Sequence, residues 1–171
     1  QFTGSLPTGL GSNSTDHIRR LRYLSLSHNR FSGTLPSSLL LHRMYYFDLS
    51  YNDFSGPLDA DSFDGWYRMR HIYLDHNQFT GSVPESLVTA GEGNMRSIYL
   101  NNNKFTGEFP TPKEWAKDNS KLTTIKLQNN GLTGELSTRL CELFVFENGD
   151  MIELDADCNI CSCKGLCNNC K

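Results

Sequence analysis

Four groups of residues in this chain have types and spacings that could do chemistry. His71, Asp75 and His76 are donors of the kind that hold transition metals. A metal site needs three convergent ligands and outer partners to orient them, and neighbouring positions of an extended segment point to opposite sides. Solvated or ligand-contacting histidines are therefore expected, with no metal and no cofactor. Asp59, Asp61 and Asp64 followed by Gly65 look like the start of a calcium loop. Phe63 holds the fifth position, however, and the glycine comes one residue late, so a solvated loop is expected instead. Asp150, Glu153, Asp155 and Asp157 form an acidic cluster, and paired carboxylates can hydrolyse glycosides. The sequence implies no cleft around them. The last group is Cys141, then Cys158-x-x-Cys161-x-Cys163-x-x-x-Cys167-x-x-Cys170, which by spacing alone reads either as zinc ligands or as disulfides. Nucleophile-elbow, zinc-protease-helix, phosphate-loop and dinucleotide-fingerprint motifs are absent. We expect no catalytic residues.

The elements that would carry these residues follow from a repeat. Asn29, Asn52, Asn77, Asn103 and Asn130 each close the pattern apolar-x-x-apolar-x-apolar-x-x-Asn. Its apolar slots are Leu21, Leu24, Leu26; Met44, Phe47, Leu49; Met69, Ile72, Leu74; Met95, Ile98, Leu100; and Leu122, Ile125, Leu127. After each Asn comes x-(Phe/Leu)-(Ser/Thr)-Gly, from Phe31-Ser32-Gly33 to Leu132-Thr133-Gly134. Apolar-x-apolar alternation makes a short strand with one face inward. The Asn amide, both donor and acceptor, can satisfy backbone groups left bare at the strand's end, giving a ladder in stacked copies. Glycine suits the tight turn that follows. Thr34-Leu35-Pro36, Ser82-Val83-Pro84 and Glu108-Phe109-Pro110 read as a second short extended segment, since proline holds its predecessor extended. Pro36-Ser37-Ser38-Leu39 and Pro84-Glu85-Ser86-Leu87 then read as helical turns. No copy buries its apolar edge alone, so stability comes from stacking. Phe2, Phe31, Phe54, Phe79 and Phe105 are expected to form a core spine, and Trp66 and Trp115 to pack outside it.

Partial copies flank these. Gln1 to Pro7 matches the second half of a repeat, so we expect further repeats or a cap before it, and a mature product stripped of any targeting segment. At the other end Ile152 and Leu154 take the last two apolar slots and Asp157 the Asn slot, with Gly149 leaving the copy degenerate.

These residues resemble the plant-type subclass of leucine-rich repeats, over roughly residues 1 to 140. The second copy departs from it at Gly56-Pro57-Leu58-Asp59, and the fifth at Ser137. The resemblance implies an α/β fold: a right-handed leucine-rich repeat solenoid with a concave parallel β-sheet, short second β-segments and short helical or 3-10 turns on the convex side. It implies a solenoid over 1–140, with a partial first repeat and five full ones, and a degenerate last repeat and Cys-rich cap over 141–171. The subclass is mainly extracellular, found in receptor-kinase ectodomains, cell-wall enzyme inhibitors and secreted recognition proteins. In such an oxidising compartment the even cysteine number favours three disulfides covering the last apolar edge, and the run Leu154 to Cys158 looks like the cap of secreted diatom leucine-rich repeat proteins. Asn13-Ser14-Thr15 is a glycosylation acceptor consistent with secretion.

The x positions of the strands and their flanks form the concave face. Six of the seven tyrosines and three of the five histidines fall there. Tyrosine is a low-entropy contact residue enriched in binding hot spots. The candidate ligand-binding residues are Tyr23, Tyr46, Tyr51, Asp48, Arg70, His71, Tyr73, Asp75, His76, Arg96 and Tyr99, with Arg22 beside them. We expect a non-enzymatic extracellular recognition module for a protein or peptide. The alternative is an extracellular-matrix or cell-wall protein that holds polysaccharide on the rings. With 16 Lys+Arg against 19 Asp+Glu, the net charge of -3 gives no footprint for nucleic acid. Membrane association is expected only through segments outside this chain.

Overall fold

The computed structural model describes residues 1–8, 10, 21–36, 43–111, 121–138, 140–141 and 153–163. Asn13, Trp115, Asp150, Ile152, Cys167, Cys170 and the turn expected after Pro36 lie outside them.

Every copy of the pattern supplies one strand to each of two parallel sheets. The first sheet runs, in chain order, through β2 (Tyr23–Ser25), β4 (Tyr46–Asp48), β6 (His71–Tyr73), β8 (Ser97–Tyr99), β10 (Thr124–Lys126) and β12 (Glu153–Asp155). The second sheet stacks β1 (Thr3–Gly4), β3 (Arg30–Gly33), β5 (Asp53–Pro57), β7 (Gln78–Gly81), β9 (Lys104–Gly107) and β11 (Gly131–Leu132). Parallel pairing is forced by coils that all wind the same way. Helix α1 (Glu85–Thr89) opens after Pro84, whose missing N–H is no loss there, and buries Leu87 and Val88.

Alternation decides which side of the first sheet is core. The central residues Phe47, Ile72, Ile98, Ile125 and Leu154 are fully buried, while their strand neighbours face out. Phe31, Phe54, Phe79 and Phe105 stack ring on ring 6.1 to 6.2 Å apart, forming the expected spine. Each fully buried phenylalanine contributes about 1.5–3 kcal/mol. Phe2 continues the column at 6.4 Å and is 73% exposed. Trp66 is a packing residue as expected, and it is fully buried, edge-on to Phe47 and Phe63.

The second strands lie earlier than the prolines indicate. They are the residues directly after each Asn, and Thr34 to Pro36 and Ser82 to Pro84 carry no strand. The asparagine is the cause. Asn77 Oδ1 accepts the Phe54 N–H of the preceding coil at 3.0 Å, and Asn52, Asn103 and Asn130 treat Phe31, Phe79 and Phe105 alike. That bond pins the Phe backbone in register, and extended pairing starts there. Each Nδ2 donates to two leucine carbonyls, one in its own coil and one in the coil before: for Asn77, Leu74 at 3.1 Å and Leu49 at 2.9 Å. Glycines 33, 56, 81, 107 and 134 then turn the chain at φ of 74° to 83°, a left-handed region that side chains disfavour.

The last copy is also corrected. Ile125 pairs with Leu154 and Lys126 with Asp155, so Ala156 takes the final apolar slot and Asn159 the Asn slot. Asp157 instead falls level with Gln128, because this coil is two residues longer than a 27-residue spacing assumes. Its carboxylate accepts the N–H groups of Asn129 at 2.9 Å and Asn130 at 3.2 Å. In inner coils backbone carbonyls do this: Asn102 donates to Gln128 and Asn103 to Asn129. An acidic side chain thus terminates a backbone ladder. Close by, Cys141 is bonded to Cys163, tying the fifth copy to the tail, and Cys158 and Cys161 are disulfide-bonded too.

Candidate functional site

Strand register arranges the outward side chains of the first sheet in columns about 4.8 Å apart. One column reads Tyr23, Tyr46, His71, Ser97, Thr124, Glu153, and the next Ser25, Asp48, Tyr73, Tyr99, Lys126, Asp155. The rings make contact across these columns. Tyr23 lies 6.4 Å from Tyr46, Tyr46 5.3 Å from Tyr73, and Tyr73 meets Tyr99 edge-on at 4.8 Å. His71 sits beside Tyr46 and Tyr73 at 6.0 and 6.1 Å, and the Lys126 ammonium lies 5.1 Å above the Tyr99 ring. A continuous aromatic floor therefore crosses β2, β4, β6 and β8. Tyr23 is 68% exposed, and Tyr46, His71, Tyr73 and Tyr99 are half-buried.

Asp48 and Asp75 are buried beneath this floor and have no face to offer. Asp48 accepts the Ser50 N–H and hydroxyl on one oxygen, and the Ser25 and Tyr46 hydroxyls on the other. It fixes the Tyr46 ring, whose phenol is pushed up to about 12 by burial and then by the Asp48 charge. Asp75 is held by His76 at 2.9 Å, and burial raises its carboxyl above the ordinary range. Burial, then the cations Arg96 and Arg70, lowers His71 below the usual imidazole value, so at neutral pH it is an uncharged partner for the Ser97 hydroxyl. Burial works against the Lys126 charge, but bonded Glu153 at 2.9 Å and the carboxylate of Asp155 leave it raised.

A second feature borders the floor. His28, Tyr51 and His76 stack nearly parallel at 4.4 and 4.0 Å. All three have left-handed φ of 53° to 57°, and Asn102 and Asn129 continue the column with φ of 56° and 60°. The Asn129 amide donates to Asn102 Oδ1, and the Asn102 amide to His76 Nε2, which places the His76 proton on Nδ1 toward Asp75. Tyr51 and His76 are among the residues expected on this face. The stack and its backbone conformation were invisible in the sequence, since only a run of x positions ending at Asn marks the corner.

His71 and His76 do not converge. His71 turns to Ser97 and His76 to Asp75 and Asn102, and among the described residues no His/Cys/Asp/Glu group is arranged to hold a metal. Asp59, Asp61 and Asp64 lie exposed in a run of turns. Away from the floor, a cavity of about 260 Å³ is lined by Phe63, Trp66, Tyr67, Thr89, Gly91 and Glu92, among others.

Residues 19–79 match a family model described as leucine rich repeat, and residues 94–112 a second one of the same description. No curated protein matches the chain in sequence. Among solved structures, the Arabidopsis receptor kinase HAESA, in complex with the peptide hormone IDA and the co-receptor SERK1, is 27% identical with a TM-score of 0.72. That match covers 90% of this chain and 24% of HAESA's. PEPR1 with AtPEP1 is 31% identical, TM-score 0.69, over 82% of this chain and 18% of that one. A plant ice-binding protein is 24% identical, TM-score 0.72, over 93% and 46%; this shows the fold alone. The chain spans about a quarter or less of the HAESA and PEPR1 chains.

Proposed function

Starting from a leucine-rich repeat solenoid of the plant receptor-like kind, we propose that this chain is a non-enzymatic extracellular recognition module. It binds a protein or peptide ligand across the tyrosine floor of the first sheet. The observation that carries this reading is the contact network Tyr23–Tyr46–Tyr73–Tyr99, with His71 and Lys126, on a face the stacking does not need. The hydrophobic core of the repeats is built from the inward side chains. Contiguous, half-buried aromatic rings held by a rigid sheet lose little entropy on binding and present large contact area. HAESA, PEPR1 and the hormone receptor RGFR1 with RGF2 lend support as solenoids seen with a peptide, the last by its fold alone.

In this reading residues 1–140 are the binding solenoid and residues 141–171 its last repeat and disulfide cap, with Asn13 glycosylated. Affinity capture from extracellular material tests it, using wild type and Tyr46→Ala/Tyr73→Ala/Tyr99→Ala protein side by side. A protein or peptide retained by wild type alone is the expected result. Equal retention by both would sink the tyrosine face, and binding only to a glycan array would move the ligand to saccharides.

A further inference from the structure

The rim of the tyrosine floor, where the strands begin, carries a second column whose charge is unbalanced. Backbone bonds link Tyr45 to Arg22, Arg70 to Tyr45, Arg96 to Arg70 and Thr123 to Arg96, so Arg22, Tyr45, Arg70 and Arg96 sit side by side. Two guanidinium groups lie over one ring: Arg22 at 5.8 Å and Arg70 at 5.2 Å from the Tyr45 centroid. Arg68 donates to the Tyr45 hydroxyl at 3.4 Å. All four arginines are exposed, and among the described residues none has a carboxylate within 4.0 Å.

The acids of the same face cannot neutralise them. Asp48 is saturated by hydroxyl and amide donors, Asp75 is buried against His76, and Glu153 and Asp155 belong to Lys126. Arg70 and Arg96 meanwhile occupy bonded positions just ahead of adjacent strands β6 and β8, where like charges side by side cost stability. After burial, the same pair lowers the His71 pKa further, so positive potential reaches the floor. This happens in a chain of net charge -3, and the cations are therefore placed locally rather than spread. Guanidinium groups pre-oriented on an aromatic ring, with free donors, match carboxylates.

From this we infer that the Arg22–Arg70–Arg96 column binds the acidic residues of a peptide ligand whose remaining length crosses the tyrosines. It rests on the tyrosine floor being the ligand face, and the test separates the two. A displayed library of random dodecapeptides is selected on wild-type protein and depleted on the Tyr46→Ala/Tyr73→Ala/Tyr99→Ala protein. Survivors should carry Asp and Glu at several times their library frequency. Their affinity should fall at least tenfold in Arg70→Gln/Arg96→Gln, and fall as salt rises. Changing the peptide's acids to amides should cost the same, with no further loss in the double variant. Arg30→Gln, which removes an equal charge on the second sheet, should leave affinity unchanged. Tyrosine-dependent peptides without acid enrichment, or indifferent to Arg70→Gln/Arg96→Gln, would overturn the inference and leave the ligand face standing. Capture of heparin but of no acidic peptide would overturn it in favour of a polysaccharide. A library without any tyrosine-dependent binder would remove both.

Discussion

Replacing Asn77 by alanine isolates what one rung of the asparagine ladder is worth. The side chain makes four bonds, to the Phe54 N–H and to the carbonyls of Leu49, Leu74 and Asp75. Its removal treats these partners unequally. Leu49 and Leu74 keep the amides of Asn52 and Asn103, and Asp75 keeps the Tyr51 N–H. Phe54 is fully buried, and its N–H is left without this acceptor. An orphaned buried donor costs about 1–3 kcal/mol, and the two lost amide donations about 0.5–1.5 kcal/mol each. The sum is about 4 kcal/mol, or about 8–16 °C in Tm for a chain of this size. Asn29→Ala is the control, since it releases the Phe2 N–H in a residue that is 73% exposed and can turn to water. Only the two lost amide donations, to Leu26 and Ser27, then count, at about 2 kcal/mol together. Urea denaturation of both variants, with amide exchange at Phe54, provides the comparison. Equal losses in the two variants, or an unchanged Phe54 exchange rate in Asn77→Ala, would refute the reasoning.

Three further outcomes are expected. Asp157→Ala should lower stability by about 1–2 kcal/mol and speed amide exchange at Asn129 and Asn130 while leaving Leu74 unaffected. Losing the Cys141–Cys163 bond, which spans 22 residues, should cost roughly 3 kcal/mol in Cys141→Ser/Cys163→Ser, read from denaturation midpoints. His71 should titrate below 6.5 by NMR, and Arg70→Gln/Arg96→Gln should move it back up. Because its folded pKa is lowered, the unfolded chain binds the proton more readily. His71 thus costs nothing above 6.5 and subtracts stability as pH falls below it; His71→Asn should remove that part of the slope.

The inward half of the molecule was legible because its residues obey one period. Leucine, isoleucine, methionine and asparagine slots repeat at fixed offsets, and the observed register follows them from Leu24 to Ile125. Legibility failed where offset ceased to mean position. Two extra residues in the last coil moved Asp157 out of the Asn slot and brought Asn159 in, a shift that spacing cannot reveal without the pairing of Ile125 with Leu154. The prolines misplaced the second strands because a ring that favours extension marks permission only, whereas the Asn–Phe bond supplies the energy. On the outward face the concentration of tyrosine and histidine was readable. That Asp48 and Asp75 would be buried as supports was not, because hydroxyl partners such as Ser25, Ser50 and Tyr46 carry no periodic mark.

The proposed ligand site is the tyrosine floor. Its most direct measurement is the aromatic NMR spectrum of the protein titrated with a captured ligand. Ring signals of Tyr23, Tyr46, Tyr73 and Tyr99 should shift together and saturate at one concentration, while Trp66 and Tyr67 beside the cavity stay fixed. Saturating shifts at Trp66 and Tyr67 with the four tyrosines unmoved would contradict the account.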